Sequence, residues 1–213
     1  GNADLVRALI QNVDGRWEMF SGGRGVVAAS VFYKHFDKPI ERVVIASANP
    51  IVTFQNADNA RNFGVELEVG RQLGSHFFVN ANYTWVDSKI TLSPEQLGVQ
   101  TSSERPLAGQ SENLFNVGGE AFFGGFSARV LYNYSGDRIS DVGANEAPDI
   151  VEQGRGTLDA VFAQKIRGLT IRATLENLTD SDFLWTQTLV VDRTQRLYRS
   201  GRSYTVTFSY SLF

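Results

Sequence analysis

Cysteine is absent from the 213 residues, which excludes a disulfide framework, a thiolate metal site and a cysteine nucleophile. Proline is scarce, five residues against twenty glycines, a balance that suits strands joined by tight turns more than helices. No apolar run approaches the roughly 18 to 20 residues that a membrane-spanning helix needs. The longest candidate, Val26 to Tyr33, already contains Ser30. Histidine occurs only at His35 and His76, far apart and outside any ligand-spaced cluster, so the sequence offers no metal site. No GxSxG, Walker or HExxH pattern is present, and Gly22-Gly23-Arg24-Gly25 lacks the Lys-Ser/Thr of a phosphate loop and reads as a hairpin turn. The net charge is −3 and the basic residues are scattered, which argues against a nucleic-acid surface. These absences leave a protein that is not an enzyme and needs no cofactor.

What the sequence does contain is period two. In Phe63 to Gly70 the residues Phe63, Val65, Leu67 and Val69 point one way, and Gly64, Glu66 and Glu68 the other. Such alternation marks a strand with unlike faces, because successive side chains leave opposite sides of the pleat. The pattern returns at Phe77 to Trp85, Phe126 to Tyr134, Leu169 to Glu176 and Tyr204 to Leu212. It is weaker at Asn12 to Phe20, Gly25 to Phe36, Asn113 to Phe123 and Gly156 to Ile166. The total is about nine strands, many near the 9 to 11 residues of a tilted membrane strand.

The connections alternate in length. Short turns fall at Ser21 to Arg24, Leu73 to Ser75, Gly124 to Gly125 and Arg167 to Gly168. Long polar segments, read as loops, run from Asp37 to Asn62, Asp87 to Glu112, Asp137 to Arg155 and Thr179 to Arg202. Short turns on one side and long loops on the other is the arrangement of outer-membrane barrels, with the long loops outside the cell. One face carries Val31, Tyr33, Val65, Leu67, Val79, Val117, Phe162, Ile171 and Phe208. The other carries charges of both signs, among them Arg16, Glu18, Lys34, Glu66, Glu68, Glu120, Arg129, Asp159, Arg172 and Glu176. The first set suits acyl chains and the second a wet or plugged lumen. The expected fold is therefore all-β: an antiparallel up-and-down transmembrane barrel, partial because an odd strand count leaves the termini on opposite sides.

Four stretches carry a resemblance: FGVELEVGRQLGSHFFVNANYTWVDS, PLAGQSENLFNVGGEAFFGGFSARVLYNYSGDR, TLDAVFAQKIRGLTIRATLENLTD and GRSYTVTFSYSLF. In order and spacing they resemble the C-terminal strands of TonB-dependent receptors, over roughly Val13 to Phe213. The most specific pieces are Glu176 to Asp180 and the last strand. The resemblance implies that residues 1–213 are the C-terminal segment of a 22-stranded barrel. The chain opens at Gly1 without a leader, and the plug domain of such a receptor would lie elsewhere in a longer protein. It further implies import of a scarce nutrient (a ferric siderophore, cobalamin or an oligosaccharide) across the outer membrane of a Gram-negative bacterium. The implied partners are outer-membrane lipid, the barrel-assembly machinery, TonB acting through the plug, and a small-molecule substrate. Tyr204, Val206, Phe208, Tyr210, Leu212 and Phe213 would form the C-terminal assembly signal, with Leu212 in the lipid register and Phe213 one residue beyond.

Two other readings compete. One is a self-contained eight-stranded barrel acting as anchor or adhesin, which requires one of the weaker strands, first of all Asn12 to Phe20, not to cross. The other is a soluble β-sandwich or lipocalin-like binder, which requires a second protein layer over the apolar face. Trp17, Tyr33, Tyr83, Trp85, Tyr132, Tyr134, Tyr204 and Tyr210 are placed as interfacial girdle residues. Arg138, Asp141, Phe183, Trp185 and Arg193, beyond the strand ends on the long-loop side, are the candidate ligand contacts, against the plainer reading of solvated loop side chains.

Overall fold

A computed structural model describes every residue except 1, 46–50, 93–96, 98–99, 189 and 212–213, and omits the side chains of 44, 45, 51 and 52. The described residues form β1 (Leu9–Phe20), β2 (Val26–Asp37), β3 (Ile40–Ile45), β4 (Ile51–Asn56), β5 (Asn59–Leu73) and β6 (Phe77–Thr91). There follow β7 (Glu104–Arg105), β8 (Asn113–Phe123), β9 (Phe126–Ser135), β10 (Arg138–Asp141) and β11 (Ile150–Glu152). The last are β12 (Arg155–Ile166), β13 (Leu169–Glu176), β14 (Phe183–Thr188), β15 (Asp192–Tyr198) and β16 (Ser203–Tyr210).

Nine of these make one antiparallel wall in the order β1-β2-β5-β6-β8-β9-β12-β13-β16, with β7 paired beside β6. The strand expected at Asn12 to Phe20 is part of it, as all twelve residues of β1 pair with β2. This removes the eight-stranded alternative. Among the described residues β1 and β16 stand at the two ends of the wall and do not pair with each other, so the chain forms a partial barrel.

Register carries the two faces across every strand. On one face Tyr33 meets Phe63, Val65 meets Trp85, Leu67 meets Tyr83, and Ala81 meets Val117. The row runs on through Val117–Tyr132, Tyr132–Leu158, Phe162–Ala173 and Ile171–Phe208. Among the described residues no second layer covers it: Leu67 is 50% exposed, Phe162 39% and Phe208 68%. An apolar surface this continuous would associate or aggregate in water, and its uncovered state rules out the sandwich reading.

The opposite face is laced by polar contacts between neighbouring strands and across skipped ones. Arg16 on β1 donates to Glu18 and to Glu68 on β5, both at 2.9 Å. Arg24, in the turn before β2, reaches Glu120 on β8 at 2.8 Å, and Arg129 on β9 reaches the same carboxylate at 2.7 Å. Asn116 donates to Asn82 at 2.7 Å. Glu66 and Glu68 are thus neighbours on a charged wall rather than an acid/base pair, and His76 is spent stacking on Phe123 at 5.0 Å.

The short turns follow turn chemistry. Gly22 and Gly23 both take positive φ, and Arg167 accepts φ 53 ahead of Gly168 to close the two-residue hairpin between β12 and β13.

The long segments differ from expectation. They hold seven further strands, β3, β4, β7, β10, β11, β14 and β15, and the wall strands β5 and β6 extend into segments read as loop, starting at Asn59 and ending at Thr91. Beyond the membrane a strand has no lipid face, so the alternation that betrays it disappears. Only the pairing partner reveals it.

Candidate ligand-capture face

The strands β10-β11-β14-β15 form a second sheet. They repeat in order the wall strands β9-β12-β13-β16, each continuing one of them beyond an interruption. Gly136-Asp137 breaks β9 from β10, and Gln153-Gly154 breaks β11 from β12. The Gly154 N–H is capped by the Asp137 carboxylate at 2.5 Å.

The break after β13 is built around Asn177, which is buried and takes φ 52. Its backbone N–H donates to Asp159 at 2.8 Å. Its side-chain amide donates to the Gly201 carbonyl at 2.8 Å, and its oxygen accepts from the Ser181 N–H at 2.9 Å. Thr179 adds a bond to the Gly156 carbonyl at 3.0 Å. Asn tolerates the left-handed backbone and satisfies groups that the bend would otherwise orphan. Asn177-Leu178-Thr179, which matches a glycosylation sequon, is therefore a structural knot.

The five candidate residues, expected on loops, all lie in strands of this sheet. Arg138 and Asp141 are on β10, Phe183 and Trp185 on β14, and Arg193 on β15. Register places them on one face: Arg138 opposes Glu152, Glu152 opposes Trp185, and Trp185 opposes Arg196. Gln187 shares that face with Trp185 and opposes Arg193, and Phe183 opposes Tyr198. Irregularities between Ile139 and Asp141, and between Trp185 and Thr186, bring Asp141 and Arg193 onto it.

The face is a ladder of rings and guanidinium groups. Phe183 and Trp185 stack with centroids 6.0 Å apart at 12°. Arg155 lies over Phe183 at 3.8 Å and Arg196 over Trp185 at 5.0 Å. Arg138 grips Glu152 with two nitrogens, at 2.9 and 3.1 Å. The Asp141 carboxylate takes both Arg42, at 3.1 Å, and Arg196. Sequence reasoning did not reach Arg42, Arg155, Arg196 or Tyr198; arginines spaced through 193–202 hinted at Arg196, but nothing local linked Arg42 to Asp141. Beside the ladder, a cavity of about 460 Å³ opens among Trp85, Gln110, Glu112, Asp137, Arg138 and Val151. Rings with cations above them and a fork-held carboxylate make a surface suited to planar, charged organic groups.

On the last strand, Tyr204, Val206, Phe208 and Tyr210 share the apolar face of β16, whereas Leu212 and Phe213 lie outside the described residues.

Comparison with known proteins gives the same architecture. The family model described as "TonB dependent receptor-like, beta-barrel" matches residues 1–178. Among solved structures, the copper transporter OprC superposes with a TM-score of 0.68 at 17% identity, covering 98% of this chain and 32% of that one. The ferric-catecholate import receptor Fiu from K12 E. coli gives 0.65 at 18% identity, covering 95% and 27%. The FrpB iron transporter from Neisseria meningitidis gives 0.62 at 13% identity, covering 95% and 30%. The chain thus spans about a third of the length of the solved structures it matches. No curated protein matches the sequence significantly.

Proposed function

Because this chain belongs to the family of TonB-dependent receptor β-barrels, which are transporters of the Gram-negative outer membrane and not enzymes, we propose that it forms part of the wall and capture surface of a nutrient importer. The observation that carries the reading is the nine-strand wall with one uncovered apolar face, matched over nearly its whole length by transporter barrels. The cargo is a scarce nutrient of the siderophore, cobalamin or oligosaccharide class. The Phe183–Trp185 stack flanked by Arg155 and Arg196 supports the first of these, since a ferric siderophore presents planar, anionic groups. Arg138, Asp141 and Arg193 complete the proposed contact set, with Asp141 acting by aiming Arg42 and Arg196. Energy would reach the barrel from TonB through a plug domain. The apolar row of β16, with Leu212 and Phe213, would be read by the assembly machinery.

Uptake assays test this. In the source bacterium, uptake of radiolabelled ferric siderophore under iron limitation should fall to background when the gene carrying this chain is disrupted, and equally when TonB is removed. Trp185→Ala should leave the barrel inserted and weaken capture about tenfold, the usual scale for a central aromatic anchor. Undiminished uptake of ferric siderophore, cobalamin and oligosaccharide in the disrupted strain would defeat the proposal.

A further inference from the structure

The β3–β4 hairpin rises from the end of β2, yet its contacts lie far along the wall. Arg42 on β3 binds Asp141 on β10, above β9. Four interstrand steps, β2-β5-β6-β8-β9, separate these positions, roughly 19 Å at about 4.8 Å per step. Arg42 stands five residues beyond Asp37, the end of β2, about 17 Å of extended chain, which together with its own side chain spans this distance. Its base is fixed where Lys38 N–H donates to the Asp58 carbonyl and Ala57 N–H to the Pro39 carbonyl, at 3.2 and 2.8 Å. The segment before β1 adds Asn2 to the Phe54 carbonyl and Val6 N–H to the Asn56 side chain, both at 2.9 Å.

Between base and tip the hairpin is held at two points of opposite character. Adjacent strand residues leave opposite faces, so Glu41 and Arg42 bind different neighbours. Glu41 is buried and takes two nitrogens of Arg105, at 3.1 and 2.8 Å, on the short strand β7. Arg42 is exposed, and its partner Asp141 is shared with Arg196 of β15. The first contact is shielded from salt and the second is open to it.

We propose that the β3–β4 hairpin is a two-point strap along the long-loop rim of the wall, with Glu41 its fixed pivot and Arg42 its releasable latch. Releasing Arg42 frees the hairpin from the capture face while Glu41 keeps it tethered to β7. The strap thereby couples the capture face to the β2 end of the wall, since the carboxylate that holds the latch also aims Arg196 at Trp185.

Hydrogen exchange of the intact outer-membrane protein in detergent, at about 20 and about 500 mM NaCl, tests the strap. In the wild type, amides of β3 and β4 should exchange roughly two- to fivefold faster at the higher salt, the scale of one exposed ion pair. In Arg42→Gln they should be that fast already at low salt and no longer respond, with β5 and β6 unchanged. Arg196→Gln, which cuts the other arm of Asp141, should quicken β14 and β15 but leave β3 and β4 slow. The proposal is overturned if Arg42→Gln leaves hairpin exchange at its wild-type rate, if β5 and β6 quicken equally, or if Arg196→Gln loosens the hairpin as much.

Discussion

Replacing Arg105 by methionine is expected to destabilise the long-loop layer by about 3–5 kcal/mol, the cost of leaving a buried partner charge unpaired. The Arg105 and Glu41 side chains are 3% and 6% exposed, and Arg105 also donates to the buried Gln100 at 3.1 Å. Without the guanidinium the buried Glu41 carboxylate keeps no counter-charge, so β3 must pull away from β7 toward solvent. The pair itself contributes far less than its removal costs, because desolvating both ions offsets most of their attraction. Hence the double variant Glu41→Met with Arg105→Met should recover most of the loss. Denaturant-dependent hydrogen exchange of β3, β4 and β7 reads both effects. A single variant within about 0.5 kcal/mol of wild type would mean that the pair is solvated and the loop layer loose.

The second large effect lies in the wall. Val117, near the middle of β8, opposes Ala81 and Tyr132 on the apolar face. Val117→Arg should cost about 2–4 kcal/mol of unfolding free energy in a bilayer, the depth-dependent cost of a cation in hydrocarbon. Its neighbour Asn116 points to the other face, bonded to Asn82, and Asn116→Arg should cost no more than about 1 kcal/mol, that of one hydrogen bond. Guanidinium titration of the protein in vesicles measures both. The contrast between adjacent positions is the informative quantity, since a wall with both faces in water would lose it.

The wall was legible because the membrane writes itself into each strand. Leu67 and Glu68 are adjacent, and one must meet lipid while the other meets water and Arg16. That demand repeats at every second residue, so strand number, register and faces all follow from alternation. The long-loop layer answers to no such solvent asymmetry. Residues 43–46 and 51–52, VVIA and IV, are short apolar runs inside a mostly polar segment, and they give no period to read. Its order comes instead from pairings distant in sequence, such as Glu41 with Arg105 and Arg42 with Asp141, which no local pattern announces.

The capture face was half legible for the same reason. Residue type picked out Phe183, Trp185 and Arg138. Their gathering on one face depends on two register irregularities and on the Asn177 bend, and these are visible only once the strands are paired. Asn177 shows how a motif can be specific without being functional in itself: its amide closes the joint that lets β13 and β16 continue upward as β14 and β15.

The most direct test of the two-faced wall is a nitroxide scan of β6, within 213 residues that contain no cysteine. Single labels placed from Phe77 to Thr84 in vesicles would be read for collision with molecular oxygen and with a water-soluble nickel chelate. Oxygen access should peak at 77, 79, 81 and 83 and drop at 78, 80, 82 and 84, because the odd positions lie among acyl chains. Odd positions shielded from both reagents, as inside a packed protein core, would contradict the account.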